Sequence, residues 1–370
     1  MHGRLLSCAM AGVLAASGCT GVLSRPLPAP AYVQLDIERS GVDYPVYRIP
    51  ALTLSNAGTL IAAYDGRPSM ADVPGPIALL VRRSTDGGRT WLPRQVVRAG
   101  PAPAGYGDPS LLVDRVTGRI FLFHVASMRQ GFGGSAAGNR EDDPDVLQAD
   151  LSWSDDDGVT WIHRRITAAI KDPAWGGIFA ASGQGIQLQH GAHAGRLLQQ
   201  YVIRHDGKNF AGSAYSDDHG VTWQMGALTG PGMDENKTVE LSDRRVMLNS
   251  RAKPHRLVAW SDDGGIHYAG LRADSQLVDP ANNGAIIRTD AGRLLISHTA
   301  HPTERRNLVV QLSCDDGETW LPGRVIESGP AGYSTLVALP GGDVGILYER
   351  GEYEAITFAR FTPAWPDECL

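Results

Sequence analysis

The sequence predicts an all-β protein, specifically a six-bladed β-propeller, from three observations. A turn motif of the form S-x-D-x-G-x-T-W recurs as STDGGRTW, SDDDGVTW, SDDHGVTW and SCDDGETW, with a looser copy SDDGGIHY. The copies begin at residues 84, 154, 216, 313 and, for the loose copy, 261, a spacing that suits a four-stranded sheet with loops of variable length. Strand-like segments precede each copy and helical periodicity is nearly absent, so roughly six such sheets fit the chain.

The composition is that of an ordinary globular protein with a large core. Of the 370 residues, 42% are hydrophobic and 20% are charged. The 44 glycines and 23 prolines suit a turn-rich β architecture. The net charge is −6 and no sizeable basic run is present, which argues against a nucleic-acid partner.

The N-terminus is predicted to be an export signal. Arg4 precedes the apolar stretch LLSCAMAGVLAA, which is too short to span a bilayer as a helix. Cys19 follows small residues, as at a bacterial lipoprotein cleavage site, but Ala16 replaces the usual leucine, so plain secretion and a lipid anchor at Cys19 both stay open. The protein is therefore predicted to be secreted or to be a cell-envelope lipoprotein, and membrane attachment is expected only through that anchor.

The chain is predicted to consist of three segments. They are the signal 1–19, a Pro-rich spacer 20–34 and the propeller domain 35–370. The four cysteines, Cys8, Cys19, Cys314 and Cys369, have no metal-site spacing, so no metal site is predicted. Cys314 and Cys369 remain after removal of the signal, either as one bridge or as two thiols.

Within the repeat, each residue type has a separate physical task. The aspartate can accept hydrogen bonds from nearby backbone N–H groups, and the glycine allows a positive φ. The tryptophan begins the next strand and can pack between sheets. The motifs are therefore predicted to be structural turns. In the loose copy His267 and Tyr268 replace Thr and Trp, so that turn is expected to be less regular.

The repeats, together with YRIPAL at 47–52, carry a family resemblance. The chain resembles the bacterial and animal sialidases (exo-α-neuraminidases), which are six-bladed propellers, over about residues 40–362. In such a ring, loops from every blade gather at one end of the axis. The resemblance implies a cavity there that binds a sialic acid, and residues far apart in sequence are expected to meet in it.

Three arginines are expected to grip the sugar carboxylate, because a guanidinium offers it bidentate geometry. The resemblance places them at Arg48 in YRIP, Arg251 in MLNSRA and Arg305 in PTERRN. Arg306 is the rival for the third position. Arg305 is preferred because the family arginine stands three residues before the apolar residue that matches Leu308.

The resemblance also implies a tyrosine nucleophile with a glutamate base. Most retaining glycosidases use a carboxylate nucleophile, and sialidases are an exception. A carboxylate would be repelled by the carboxylate on the anomeric carbon, whereas a neutral phenol is not, although it then needs a base. GPAGYSTLVALP places the nucleophile at Tyr333 and GMDENKTVEL places the base at Glu235. Glu240 is the competitor, but it alternates with apolar residues as in a strand.

The general acid is expected on the loop between the Arg-Ile-Pro strand and the first repeat. The family match is Asp72, 24 residues after Arg48, in a Pro- and Gly-rich loop expected to desolvate it partly. Asp65 and Arg67 follow the preceding strand, and Arg67 is predicted as an additional substrate contact.

Three further residues complete the predicted site. Glu349 in LYERGEY falls where family members place a glutamate that pairs with the first arginine, here Arg48. Asp108 is a candidate contact near the N-acetyl group or else a turn residue before Pro109. Gln184 in SGQGIQLQHG is a further candidate near the ligand.

The function implied is that of a retaining exo-α-sialidase that hydrolyses terminal sialic acid from glycans, glycoproteins or glycolipids. Its expected mechanism passes through a covalent tyrosyl intermediate, with no metal or organic cofactor. Two alternatives stay open. One is a trans-sialidase or intramolecular trans-sialidase, and the other is a catalytically silent propeller that binds sialosides.

Overall fold

The computed structural model describes residues 33–362, and this part is built almost wholly from β-strands, which confirms the all-β prediction. Its helical segments are one four-residue α-helix, Thr167–Ile170, and two 3₁₀ turns, Gly191–His193 and Pro340–Gly342. Within residues 33–362, no helix has the length and apolar character needed to cross a bilayer. The predicted signal, almost all of the spacer and Cys369 lie outside the described residues.

The strands are numbered in chain order. Those before residue 190 are β1 (Val33–Arg39), β2 (Val46–Leu54), β3 (Leu60–Arg67), β4 (Ala78–Ser84), β5 (Gln95–Arg98), β6 (Gly105–Val113), β7 (Ile120–Ser127), β8 (Gln148–Ser154), β9 (Ile162–Arg165), β10 (Ile178–Ala180), β11 (Gly183–Gln184) and β12 (Ile186–Gln187). Those after residue 190 are β13 (Leu197–His205), β14 (Lys208–Ser216), β15 (Gln224–Met225), β16 (Asn236–Glu240), β17 (Val246–Ser250), β18 (His255–Ser261), β19 (Ala269–Val278), β20 (Ala285–Arg288), β21 (Leu294–Thr299), β22 (Arg306–Ser313), β23 (Arg324–Ala338), β24 (Val344–Arg350) and β25 (Ala355–Phe361).

These strands form six mainly antiparallel sheet units that follow one another along the chain, with the two-residue β11 paired in parallel to β6 and β12 paired to β13. The first four sheets are β2–β5, β6–β9, β10 with β13–β15, and β16–β19. The long strand β23 then serves two sheets, because residues 324–330 pair with β22 and residues 331–338 pair with β24. The fifth sheet is therefore β20–β22 with the first part of β23. The sixth is the second part of β23 with β24, β25 and β1.

Contacts between neighbouring sheets run in a cycle. Strand β2 contacts β6, β6 contacts β13, β13 contacts β16, and β16 contacts β20. Strand β23 contacts β20 on one side and β2 on the other, which returns to the first sheet. This cyclic order is the arrangement of the predicted six-bladed propeller. Because β1 pairs with β25, the first described strand completes the last sheet of the ring.

The tryptophans of the repeat pack on the preceding sheet, as predicted. The Trp91 ring lies edge-on to Phe358, with centroids 5.3 Å apart. Trp223 lies edge-on to Phe121 and Phe123, at 5.8 and 5.0 Å. Each of these turns therefore places an indole side chain between two neighbouring sheets. The aromatic surface buried there stabilises the packing of the two sheets.

The repeat turns close through hydrogen bonds within five residues. In the first copy Ser84 Oγ donates to Asp86 Oδ1 at 2.8 Å, Thr90 N donates to the same oxygen at 2.9 Å, and the Thr90 hydroxyl donates to Asp86 Oδ2 at 2.6 Å. The glycine N–H, at Gly88, donates to Ser84 Oγ at 2.9 Å.

The looser copy has the same hydrogen bonds, so the expectation of a less regular turn is wrong. Gly265 N donates to Ser261 Oγ at 2.8 Å and His267 N donates to Asp263 Oδ1 at 3.0 Å. His267 Nδ1 lies 2.7 Å from Asp263 Oδ2, where the other copies have a threonine hydroxyl. The imidazole thus replaces the hydroxyl as the partner of the second carboxylate oxygen.

The structure decides whether Cys314 is a free thiol. Cys314, in the second position of the last repeat, is disulfide-bonded and is therefore not a free thiol. The chain's three other cysteines lie outside the described residues, so pairing with Cys369 stays a prediction.

Candidate active site

Two cavities lie at opposite ends of the same inner strands. Strands β2 and β6, the segment that leads into β16 and the second part of β23 line one cavity near their starts and the other three or more residues further on, at roughly 3.3 Å per residue along a strand. The second cavity, of about 790 Å³, is lined by residues such as Thr53, Val113, Val239 and Leu336. Most of the predicted site residues lie at the first cavity.

The first cavity has a volume of about 300 Å³ and gathers most of the predicted site. Its lining is Arg48, Ile49, Asp72, Val73, Asp108, Phe132, Leu147, Phe179, Asn209, Asp234, Glu235, Arg251, Arg305 and Tyr333. Seven of the nine predicted site residues are in this set. The other two, Arg67 and Glu349, lie directly behind it and contact Asp72 and Arg48.

The three predicted arginines surround one tyrosine. The guanidinium carbons of Arg48, Arg251 and Arg305 lie 5.2, 5.8 and 5.2 Å from the centroid of the Tyr333 ring. The arginines come from β2, from the residue after β17 and from the residue before β22. Four sheet segments distant in sequence therefore converge on one point.

A buried glutamate ties the first arginine to the tyrosine. Glu349, fully buried on β24, accepts hydrogen bonds from Arg48 Nε at 3.1 Å and from the backbone N–H of Ile49 and Tyr333 at 2.9 and 2.8 Å. Burial acts to lower the pKa of Arg48, but Glu349 raises it above its ordinary value, which keeps the guanidinium charged. Arg48 Nη2 is buried and has no hydrogen-bond partner among the described residues, so it is available to a ligand.

Glycine is required beside this glutamate. A Cβ at Gly332 would lie 2.0 Å from Glu349 Oε2, far inside van der Waals contact. The Gly332 carbonyl also accepts a hydrogen bond from Asn282 Nδ2 at 2.7 Å. The Gly-Tyr pair thus lets the tyrosine backbone reach the carboxylate.

The second arginine lies between the predicted base and the predicted nucleophile. Arg251 Nη1 donates to Tyr333 Oη at 2.5 Å and lies 2.7 Å from Glu235 Oε2, while Nη2 donates to Asp234 Oδ2 at 3.0 Å. The contact with Glu235 has the distance of an ion pair but not the angle of a hydrogen bond. Arg251 therefore contacts both the predicted base and the predicted nucleophile.

The resting phenol is strongly held in its neutral form. Burial raises the pKa of Tyr333 above its ordinary value, and the negative charge of Glu235 raises it further, while the three arginines act in the opposite direction. Attack by the phenol oxygen therefore requires a base. Glu235, 2% exposed, also accepts a hydrogen bond from Ser182 Oγ at 3.2 Å.

The two rival assignments differ clearly in position. Arg305 lines the cavity, whereas Arg306 is exposed and lies 3.6 Å from Glu304. Glu240 accepts the backbone N–H groups of Gln189 and His190 and lines the second cavity. Geometry thus favours Arg305 and Glu235 over their rivals.

The predicted acid lies at the open edge of the cavity. The Asp72 side chain is 75% exposed, so the expected partial desolvation by its loop is wrong. Arg67 Nη1 donates to Asp72 Oδ1 at 2.6 Å, and its Nε and Nη2 donate to the buried Asp65. Arg67 is 1% exposed and does not line the cavity, so it orients the two aspartates rather than facing the solvent.

Asp108 lines the same cavity in an unusual backbone conformation. Its φ of 57° lies in the left-handed region, which is uncommon outside glycine. Burial raises the pKa of Asp108 well above its ordinary value, and the nearby Asp65 raises it further, while Arg67 acts against both. The carboxyl group therefore has a strong tendency to bind a proton or to pair with a hydrogen-bond donor from a ligand.

Sequence reasoning missed some cavity residues and misplaced one. Gln184 lines the second cavity, so its prediction as a ligand contact is wrong. Asp234 went unnoticed although it precedes Glu235, and its Oδ1 accepts the Glu235 N–H at 2.8 Å. An apolar wall was also missed, formed by Phe132 and Phe179 with ring centroids 4.9 Å apart. Phe132 lies on the loop between β7 and β8 and Phe179 lies on β10, and no spacing rule links them.

Residues 33–362 contain no cluster of three or more His, Cys, Asp or Glu side chains arranged to hold a metal ion. The cavity's own chemistry consists of guanidinium groups, carboxyl groups and one phenol. Such a set can bind an anionic ligand, exchange protons and supply an oxygen nucleophile.

Comparison with known proteins places this geometry in a family. A family profile described as a BNR repeat-like domain matches residues 58–346. A sialidase from Micromonospora viridifaciens is 51% identical over 378 residues, covering 96% of this chain and 58% of that protein. A sialidase from Bacteroides fragilis (strain YCH46) is 33% identical, covering 82% of this chain and 60% of that protein. The chain thus spans less than two thirds of the length of these two relatives.

A solved structure of a sialidase has a similar fold. The structure named "Hadza microbial sialidase Hz136" superposes with a TM-score of 0.83 at 30% sequence identity. The superposition covers 89% of this chain and 68% of that one. The likeness therefore extends over most of the chain.

Proposed function

The chain belongs to the family of sialidases with BNR repeats, and from this membership we propose that it is a retaining exo-α-sialidase acting on terminal sialic acid of glycans, glycoproteins or glycolipids. The observation that carries the proposal is the convergence of Arg48, Arg251 and Arg305 on the ring of Tyr333, with Glu235 alongside. Three guanidinium groups suit a sugar that bears a carboxylate on its anomeric carbon.

The bound carboxylate has a second effect on the site. Arg251 Nη1 contacts both Tyr333 Oη and Glu235. A substrate carboxylate competes for Arg251, and as this arginine turns to it, the phenol and Glu235 are freed to approach each other. Binding of the correct ligand thereby assembles the nucleophile and its base.

The first chemical step forms a tyrosyl sialoside. Tyr333 Oη attacks the anomeric carbon and its proton passes to Glu235. The bond from the anomeric carbon to the aglycone oxygen breaks, and Asp72 gives that oxygen a proton.

The second step hydrolyses this intermediate. Asp72, now a carboxylate, removes a proton from water as the water oxygen attacks the anomeric carbon. The carbon–Tyr333 bond breaks and the phenolate recovers its proton from Glu235. Two displacements at one carbon preserve its configuration.

The test is to follow the products of sialyllactose hydrolysis by NMR. The expected first product is the α-anomer of free sialic acid, which then mutarotates. If only the β-anomer forms at early times, the two-step route is wrong. Sialic acid transferred to added lactose, or an anhydro sugar, would identify a transferase instead. Binding of sialyllactose without any product would identify a silent binding protein.

We further propose that the protein is exported before it acts. Arg4 and the following 12-residue apolar stretch support a cleaved signal, and Cys19 supports a lipid anchor as its variant form. The intact mass of the protein recovered from its native envelope or medium tests this. A chain that keeps residues 1–19 would contradict export by cleavage, and added acyl mass at Cys19 would select the anchored form.

A further inference from the structure

The three arginines of the cavity differ in how their charge is balanced. Arg48 pairs with Glu349, and Arg251 pairs with Asp234 and Glu235. Among residues 33–362, no carboxylate lies within ion-pair distance of Arg305. Its hydrogen bond goes to a neutral group instead, since Arg305 Nη1 donates to the phenol oxygen of Tyr353 at 3.1 Å.

Tyr353 contacts two of the three arginines at once. Its oxygen accepts from Arg305, and its ring lies against the guanidinium of Arg48, with 4.7 Å from the guanidinium carbon to the ring centroid. The ring face attracts a cation without neutralising it, and a phenol oxygen accepts a hydrogen bond without a formal charge. Tyr353 therefore fixes the directions of both arginines and leaves their net charge unchanged.

The backbone under Tyr353 is strained and firmly held. Its φ is 64°, a left-handed conformation that is costly for an aromatic residue. Ser40 Oγ donates to the Tyr353 carbonyl at 2.7 Å, and Ser40 N donates to the Glu354 carbonyl at 2.9 Å. Ser40 also accepts the backbone N–H of Tyr47, the neighbour of Arg48, at 3.3 Å. The turn is thus tied to the strand that carries an arginine, as expected where strain serves a site.

We propose that Tyr353 is a positioning residue that holds Arg305 in the cavity without compensating its charge, so that Arg305 supplies most of the selectivity for a ligand carboxylate. The inference rests on the proposed function and deepens it. Arg48 and Arg251 reach the ligand already paired with carboxylates, and their net attraction is reduced accordingly. Arg305 has its full charge available, provided that its side chain is kept from turning into solvent.

The experiment compares two inhibitors that differ only at the carboxylate. They are the 2,3-didehydro derivative of sialic acid and its C1 methyl ester, measured as Ki values in the hydrolysis of a fluorogenic sialoside. Tyr353→Phe keeps the ring and removes the acceptor of the Arg305 hydrogen bond. It is expected to weaken the acid by about 3- to 10-fold, to leave the ester unchanged, and to raise KM while kcat changes little.

Tyr215→Phe is the matched control. Tyr215 also lies against a guanidinium, at 4.6 Å from Arg196, and its hydroxyl donates to Gln224, but it lies outside the cavity. This variant is expected to keep both Ki values. In an Arg305→Ala background, Tyr353→Phe is expected to have no further effect on the ratio of the two Ki values, because it acts through Arg305.

The outcomes separate this inference from the proposed function. If the wild-type protein neither cleaves the sialoside nor binds the acid, the proposed function is wrong. If the wild-type protein does both but Tyr353→Phe leaves the ratio of Ki values unchanged, or weakens acid and ester equally, Tyr353 has no selective effect on the carboxylate and the inference is wrong. Thermal denaturation of each variant confirms that it is folded.

Discussion

The repeat turns and the surroundings of the first cavity both contain aspartates, but they shift the aspartate pKa in opposite directions. In the first turn, the hydroxyl and N–H of Thr90 lower the pKa of Asp86 to about 2. At the cavity, burial raises the pKa of Asp108, and of Asp65 buried behind it, above the ordinary value despite the opposing charge of Arg67. A turn gives one carboxylate several donors, whereas the cavity crowds several carboxyl groups into a buried space.

The two regions also differ in how far apart in the chain their interacting residues lie. The partners of Asp86 lie within four residues of it, so the turn is specified by one short sequence segment. The partners of Glu349 include Arg48 and Ile49, about 300 residues away in the chain. Turns can therefore be altered one at a time, whereas the cavity depends on closure of the ring.

The strongest test of this contrast removes the nucleophile. Tyr333→Phe deletes the attacking oxygen and its contact with Arg251, while the three arginines keep their other partners. We expect kcat on sialyllactose to fall on the order of 10³-fold or more, with the affinity for the didehydro inhibitor changed only about threefold. Steady-state kinetics and inhibitor titration measure the two quantities. Wild-type turnover by this variant would remove Tyr333 from the mechanism.

The next test adds one methyl group behind the cavity. Gly332→Ala places a Cβ 2.0 Å from Glu349 Oε2, so Glu349 must move and release Arg48. We expect kcat/KM to fall about 10- to 100-fold, together with a lower Tm.

The control for that variant is Gly133→Ala, on a loop at the same end of the ring. A Cβ at Gly133 meets no atom within 4 Å, so kcat/KM and Tm should stay close to the wild type. Equal losses in the two variants would show that general overpacking, and not the position of Glu349, controls the cavity.

A smaller effect is expected from breaking one turn. Asp86→Ala removes the acceptor of the Ser84 and Thr90 hydrogen bonds. Because the turn is local, we expect Tm to fall by about 2–4 °C and kcat/KM to change less than about twofold. Asp155→Ala, which breaks only the exposed pair with Arg119, is the control and should change neither. A tenfold loss of kcat/KM on removing Asp86 would contradict the independence of turns and cavity.

The smallest expected effect is the contribution of Asp86 to the pH dependence of the free energy of unfolding. The folded-state pKa of Asp86 is depressed below its ordinary 3.8, so its contribution is present above pH 4 and is lost as the pH falls toward 2. Urea denaturation at several pH values should show a shallower loss of stability between pH 4 and 2 for Asp86→Ala than for the wild type. Parallel curves would show that this carboxylate does not contribute through its ionised form.

Much of the fold was predictable because each copy of the turn motif contains all the residues that form its hydrogen bonds. Much of the site was predictable from the family motifs. Four copies of S-x-D-x-G-x-T-W placed the ends of four β-strands, and the family motifs directed attention to residues such as Arg48 and Tyr333. The predictions that failed concern environment. The motif could not show that Asp72 stays exposed, that Gln184 faces the opposite cavity, or that His267 replaces a threonine hydroxyl in its turn.

The sequence by itself determined the repeat turns, since their side-chain hydrogen bonds run between residues at most four apart. Only the tertiary structure decided that Arg305 pairs with the neutral Tyr353, that Arg251 bridges Tyr333 and Glu235, and that Gly332 must lack a side chain. Partnerships of this kind depend on how the sheets are placed around the axis. Ring closure, in which β1 completes the sheet of β24 and β25, sets those distances to within hydrogen-bond range, and no local segment contains that information.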